Sequence, residues 1–187
     1  ALDLATAEGL KTHVNAHYRA AQLQDHLGPD VTLHLEQPEI LDTGGGLKAA
    51  LPTMNGDPVA TLNSDAVWVG PNPLNILQAA WRPHMDCLLL LVPIERTTGY
   101  TRAGNFAIQA DGALRRNEAG QVYTGAQLIR RQAVLSHPKR IFSLNEIWDA
   151  CLRTGGLYGV TYAGEWADVG TPQGISQAEQ MLDAANV

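Results

Sequence analysis

The stretch DCLLLLVP, residues 86–93, decides the fold. Every position from Cys87 to Val92 is apolar, so neither face of the strand it forms can meet water. Strands of that kind belong inside a sheet that is covered by helices on both sides. Toward the N-terminus, helical and strand patterns alternate. Leu2, Leu4, Ala5 and Leu10 fit a helix ending at Gly9, and KTHVNAH alternates as a strand with Val14 turned inward. RAAQLQDHLG reads as a helix closed by Gly28, VTLHLEQ as a strand and GLKAALPTM as a short helix. PVATLNSDAVWV reads as one largely apolar strand, and PLNILQAAWR as a helix begun by its prolines.

Beyond Pro93 the strands shorten and polar turns intervene. GNFAIQ, LRRN and VYTGAQLI suggest antiparallel hairpins added to the sheet edge or laid over it. SLNEIWDACLRTG returns to helix, with Ser143 placed to cap it and Glu146 to complete a capping box. LYGVTYAGEWADVG reads as a further hairpin, and TPQGISQAEQMLDAAN as the last helix. The expectation is an α/β fold in three layers, α/β/α, with a mixed, mainly parallel central sheet and added β-hairpins, spanning residues 1–187 as a single domain.

Composition narrows the function classes. A chain of 187 residues with 45% hydrophobic and 17% charged content suits one soluble domain with a sizeable core. The net charge of -6, with basic residues scattered apart from Arg115-Arg116 and Arg130-Arg131, gives no footprint for nucleic acid. The longest apolar run is far short of the roughly 20 residues that span a bilayer, so no membrane association is expected. Cys87 and Cys151 sit in apolar surroundings without metal-ligand spacing and read as buried thiols of a reducing, cytoplasmic compartment. The histidines show no pair at metal-ligand spacing with a third ligand and read as surface or core-edge residues.

Chemistry points to three places. In LDTGGGLKAALP, residues 41–52, consecutive glycines open a helix although each loses more backbone entropy on ordering than any other residue. A helix N-terminus bare of side chains can approach a ring or phosphate, while a plain tight turn is the commoner explanation. Asp65 ends the strand PVATLNSD, and the carboxyl ends of strands are where open α/β sheets bind ligands; capping of the next turn is the alternative. Asp168, in GEWADVGTP, precedes a helix that it could simply cap. Two carboxylates from distant segments can together hold one Mg²⁺, which takes one or two carboxylates plus phosphate oxygens and water.

These stretches, LDTGGGLKAALP, then NSD after an apolar strand, then GEWADVGTP before the last helix, resemble in order and spacing the sugar-1-phosphate nucleotidylyltransferases. Within that family they are most similar to the bacterial N-acetylmuramic acid 1-phosphate uridylyltransferases of peptidoglycan recycling, whose sequences run E-T-G-G-G, N-G-D-V, G-D-F, S-G-I and W-V-D-V-G-T. The resemblance covers nearly the whole chain. It implies a Rossmann-like nucleotidyltransferase fold in a monomer or homodimer. The implied reaction is transfer of a nucleotidyl group from an NTP, UTP by nearest likeness, to a sugar 1-phosphate, giving a nucleotide-sugar and pyrophosphate for cell wall synthesis. A guanylyl- or thymidylyltransferase of mannose or glucose 1-phosphate, or a noncatalytic nucleotide-sugar-binding module, are the alternatives.

Residue by residue, the resemblance implies that Asp65 and Asp168 are catalytic and hold Mg²⁺. Thr43, Gly44, Gly45, Gly46 and Asn63 would face the nucleotide, and Gly104, Asn105, Thr124 and Gly125 would line the sugar side. The chain departs from the family at Asp42, where Glu is usual, at Ser64 in place of Gly, at Ala167 in place of Val, and at Asn105 in place of the Asp of G-D-F. The last of these removes a carboxylate near the expected sugar. The family's first strand, its signature loop G-x-G-x-R-x-R-P and a downstream P-K-P are not in these residues; Ala1 aligns with the helix after that loop. Since the loop holds the triphosphate, the resemblance implies that these residues alone turn over poorly.

Overall fold

The computed structural model describes residues 1–185. In chain order the elements are α1 (Leu2–Ala7), β1 (Thr12–Ala16), α2 (Ala20–His26), β2 (Val31–Leu35), α3 (Asp42–Ala50), β3 (Val59–Leu62), β4 (Ala66–Val69), α4 (Pro73–Ala80), β5 (Cys87–Val92), β6 (Thr97–Thr98), β7 (Phe106–Ile108), β8 (Leu114–Arg116), β9 (Val122–Ile129), α5 (Arg131–Leu135), α6 (Leu144–Thr154), β10 (Leu157–Thr161), β11 (Glu165–Asp168) and α7 (Pro172–Ala185). The expected end of the last helix at Asn186 lies outside the described residues.

Every residue of β5 is buried, with exposures of 0 or 1%. The strand lies between β10, which runs parallel to it, and β9, which runs antiparallel. Its side chains alternate between two core layers. Cys87, Leu89 and Leu91 pack with Leu47 of α3, Val134 of α5, and Ile147 and Trp148 of α6. Leu88, Leu90 and Val92 pack with Leu77 of α4 and with Tyr162 and Trp166. Each buried leucine adds about 1.5–3 kcal/mol relative to exposure, so this one strand anchors helices on both sides. The three-layer α/β fold follows from it. Cys87 and Cys151 are buried free thiols, with sulfurs 3.6 Å apart.

The central sheet has the order β10-β5-β9-β3, beside a β1-β2 pair, a β4-β11-β6 sheet and the β7-β8 hairpin. Because β9 is antiparallel to both β5 and β3, the strands β10, β5 and β3 share one direction and the sheet is mixed. Three expectations are corrected here. VYTGAQLI is not an edge hairpin: as β9 it runs through the middle of the sheet. Its polar residues Thr124 and Gln127 are fully buried but satisfied, Thr124 donating to the Leu90 carbonyl and Gln127 bridging Thr61 and Trp148. PVATLNSDAVWV is two strands, β3 and β4, in different sheets, with the break at Asn63–Asp65. LYGVTYAGEWADVG is no hairpin either, since β10 joins β5 while β11 joins β4 and β6.

Helix termini follow local chemistry. Ser143 caps α6 by accepting from the Asn145 amide, and Gly155 closes the helix in the left-handed region. The capping box is not completed. Glu146 instead meets Lys139 at 2.6 Å and His137 at 3.4 Å, and the Lys139 hydrogen bond pulls its pKa below the ordinary glutamate value.

The triple glycine forms the first turn of α3 and is buried. The amides of Gly44 and Gly45 donate to the Phe142 carbonyl at 2.9 and 3.0 Å, and the Thr43 hydroxyl accepts from the Leu144 amide at 3.0 Å. A methyl group at Gly44 would overlap the Phe142 ring, and one at Gly45 would overlap the Arg140 carbonyl. Absent side chains thus let α3 dock flush on the segment that leads into α6. Gly45→Ala is expected to destabilise the fold by about 1–3 kcal/mol, because the obstacle is backbone and cannot rotate away. An unchanged urea midpoint in that variant would show that the Arg140–Phe142 segment does not pack against α3 as described.

Candidate active site

The break between β3 and β4 delivers Asp65 to one side of the sheet. From there β4 pairs antiparallel with β11 so that Ala66 faces Asp168, and the Val169 amide donates to the Asp65 carbonyl at 2.9 Å. Residues far apart in sequence become cross-strand neighbours. Gly170 lies between their side chains: a Cβ there would stand 3.1 Å from Asp168 Oδ1 and 3.6 Å from Asp65 Oδ2. Both carboxylates therefore open onto one small volume that any other residue would fill.

Asp168 does not cap α7. That role falls to Thr171, whose hydroxyl accepts from the Gly174 amide at 3.0 Å. Asp168 Oδ1 accepts from the Gly170 amide at 2.9 Å, and Oδ2 lies 3.3 Å from Arg102 Nη2. Among the described residues nothing donates to the Asp65 carboxylate, which is exposed. No third His, Cys, Asp or Glu joins the two among the described residues. Two oxygen-rich groups with room between them fit a hard cation that completes its shell from phosphate and water.

Asp65 also lines a cleft of about 1800 Å³ together with Asp42, Thr43, Thr61, Asn63 and Ser64. Its long walls are β1 and β3, each paired on only one side among the described residues. Thr43, Asn63 and Asp65 thus share this cleft. Gly44, Gly45 and Gly46 lie behind its wall, turned toward Phe142, Arg140, Asn15 and Glu36. On the expected sugar side, the Asn63 amide donates to the Gly125 carbonyl at 3.0 Å, so Gly125 touches the strand end that carries Asp65. Thr124 is fully buried, with its hydroxyl on the Leu90 carbonyl. Gly104 donates to the Glu118 carbonyl, and the Asn105 side chain accepts from the Tyr123 amide at 2.8 Å. The structure therefore joins Asp65 to Asp168, Asn63 and Thr43, and ties Gly104, Asn105 and Thr124 to neighbouring backbone groups.

A chain 32% identical over 200 aligned residues, covering 98% of this chain and 83% of its own, is the N-acetylmuramate alpha-1-phosphate uridylyltransferase of Caulobacter vibrioides. The chain belongs to the sugar-1-phosphate nucleotidylyltransferases. The fold of this nucleotidylyltransferase is shared with HddC from Yersinia pseudotuberculosis, a structure solved with GMP-PN, at a TM-score of 0.77 and 16% identity over 96% of this chain and 83% of that one. It is also shared with a glucose-1-phosphate thymidylyltransferase, so described, from Bacillus anthracis at a TM-score of 0.75 and 14% identity, over 100% of this chain and 81% of that one. No family model matches the chain.

Three features of this region escaped the sequence. Gly170 was visible inside the GEWADVGTP motif but not as a spacer between carboxylates. Arg102, in a polar loop, carried no pattern at all. A third lies on the cleft wall, where His13 and His34 stack with ring centroids 5.2 Å apart and share a 2.9 Å contact between Nδ1 and Nε2, beside the Thr53 hydroxyl. Burial first, then His34 and Lys11, lower the His13 pKa from its usual 6.5. In the window below that value the unfolded chain binds a proton that the folded protein refuses, so stability rises with pH there and is lost as pH falls. Urea midpoints are expected to drop between about pH 7 and about pH 5, and to drop less in His13→Gln. Equal slopes in the two proteins would remove His13 from that dependence.

Proposed function

We propose that this nucleotidylyltransferase transfers a uridylyl group from UTP to N-acetylmuramic acid 1-phosphate, with Asp65 and Asp168 holding Mg²⁺. The observation that carries the chemistry is the pairing of Ala66 with Asp168, which aims both carboxylates at the space beside Gly170. The choice of base and sugar rests on the Caulobacter relative's stated activity. An oxygen of the sugar phosphate attacks the α-phosphorus of UTP, a new P–O bond forms, and the bond to the departing pyrophosphate breaks. No protein nucleophile is required, so the work of the chain is to position the two phosphates in line. The metal, when bound, supplies neutralisation of charge on the phosphate oxygens. Thr43 and Asn63 line the same cleft as Asp65, which supports a role for their side chains in contacting the nucleoside.

Such a reaction would recover a cell-wall sugar at the expense of UTP, and we place it in the cytoplasm, where that nucleotide is made. No helix among the described residues is long and apolar enough to cross a membrane. Pyrophosphate release by the intact gene product, profiled with four NTPs against muramic, glucosamine, glucose and mannose 1-phosphates, tests the substrate choice. UTP with the N-acetylmuramic derivative is expected to lead; GTP with mannose 1-phosphate in the lead would overturn it, and no turnover with any pair would favour a noncatalytic nucleotide-sugar-binding module. Asp65→Asn and Asp168→Asn are each expected to lower turnover about a hundredfold or more while thermal stability holds or rises, since a charge that binds metal is lost and a repulsion is relieved. Near-normal turnover in either variant would take that residue out of the site.

A further inference from the structure

Among the described residues one cation contacts these carboxylates, and it does so through a single nitrogen. Arg102 meets Asp168 through a single contact, Nη2 to Oδ2 at 3.3 Å, and its side chain is 76% exposed against 22% for the carboxylate. Its guanidinium also lies 5.0 Å from the Tyr100 ring centroid. Tyr100 is fixed independently, donating to the Ala103 carbonyl at 2.8 Å and packing at 6.0 Å against Trp166, whose indole donates to the Thr124 carbonyl. The arginine therefore leans on an anchored ring and reaches Asp168 with one nitrogen. An ion pair this exposed and monodentate holds weakly, and a guanidinium stacked on a ring keeps that contact when the carboxylate is withdrawn.

The charge balance around Asp168 then has two states. With no divalent ion present, Arg102 partly offsets two neighbouring carboxylates. A divalent ion seated between Asp65 and Asp168 offsets them fully and repels the guanidinium from Oδ2. What enters with such an ion is phosphate, and arginine's planar fork suits phosphate oxygens better than a single carboxylate oxygen. We infer that Arg102 is an exchangeable counter-ion: it occupies Asp168 in the metal-free protein, and on metal binding it passes to a phosphate group of the substrates, which makes it a positioning residue for the reaction. This rests on the proposed role of Asp65 and Asp168 in holding the metal and adds to it the cation that competes for the same oxygen.

The inference makes Arg102 act with opposite sign on metal and on phosphate, which a merely structural residue would not do. Mn²⁺ titration followed by the electron paramagnetic resonance of the free ion reads the first effect without any turnover. Arg102→Gln is expected to bind Mn²⁺ roughly three- to fivefold more tightly than the native protein, because a competing positive charge is gone. Arg102→Lys is expected to stay near native affinity. In the intact gene product the same Arg102→Gln change is expected to raise the KM of at least one phosphate substrate by roughly three- to tenfold, with Arg102→Lys recovering part of it. Thermal melts of both variants should match the native protein. Mn²⁺ binding that is lost in Asp168→Asn yet unaltered in Arg102→Gln would overturn the inference and leave the two-carboxylate reading standing. Tighter Mn²⁺ binding with unchanged KM values would overturn the transfer to phosphate. Absence of Mn²⁺ binding in the native protein and every variant would overturn both readings together.

Discussion

The complete burial of β5 is the constraint on which the rest of the structure hangs. A strand with no wet face must be covered on both sides, and its alternating side chains divide the core into one layer under α3, α5 and α6 and another around α4, Tyr162 and Trp166. Its neighbours are then fixed in register. β9 lies antiparallel along one edge, β3 lies beyond it, and the carboxyl end of β3 is where Asp65 emerges. The second core layer also holds Trp166, two residues before Asp168, so the same packing that buries Leu90 helps to place the second carboxylate. Site and core are parts of one arrangement.

The break at Asn63–Asp65 turns that arrangement into a site. If β3 continued unbroken, its alternation would carry Asp65 along the sheet; instead the chain changes sheets and β4 meets β11. Antiparallel pairing brings the two acids to adjacent positions, and the lack of a side chain at Gly170 keeps the space between them open. The cluster thus depends on a strand break, a pairing register and one small residue. None of the three is a property of either aspartate.

How much of this was legible in the sequence depends on whether the deciding contact was local. The run from Cys87 to Val92 announced its own environment, because burial on both faces leaves no polar position. β9 was misread since Thr124 and Gln127 look like surface residues, and only the tertiary fold shows that Leu90, Thr61 and Trp148 satisfy them. Asn63–Asp65 carries no glycine or proline to mark a strand break, so PVATLNSDAVWV read as continuous. The glycines of α3 signalled a close approach correctly in kind, but the backbone that approaches belongs to Arg140–Phe142, which no local pattern could name. Asp65 and Asp168 were paired by the chemistry of two carboxylates around one cation and by resemblance to a family, whereas Arg102, a single arginine in a polar loop, was invisible to both kinds of reading.

The tie between the first turn of α3 and the start of α6 has a consequence for how the molecule comes into being. The hydrogen bond from Leu144 to Thr43 closes a separation of 101 residues, and Asp65 and Asp168 are brought together across a similar span of chain. Contacts of that range form only after the intervening loops have given up their entropy, which slows folding and places such contacts late in it. A partly folded chain of this kind can hold β5 beside β9 without having both carboxylates in place. A ligand that needs both aspartates therefore reports on contacts of long sequence range as well as on the local shape of the site.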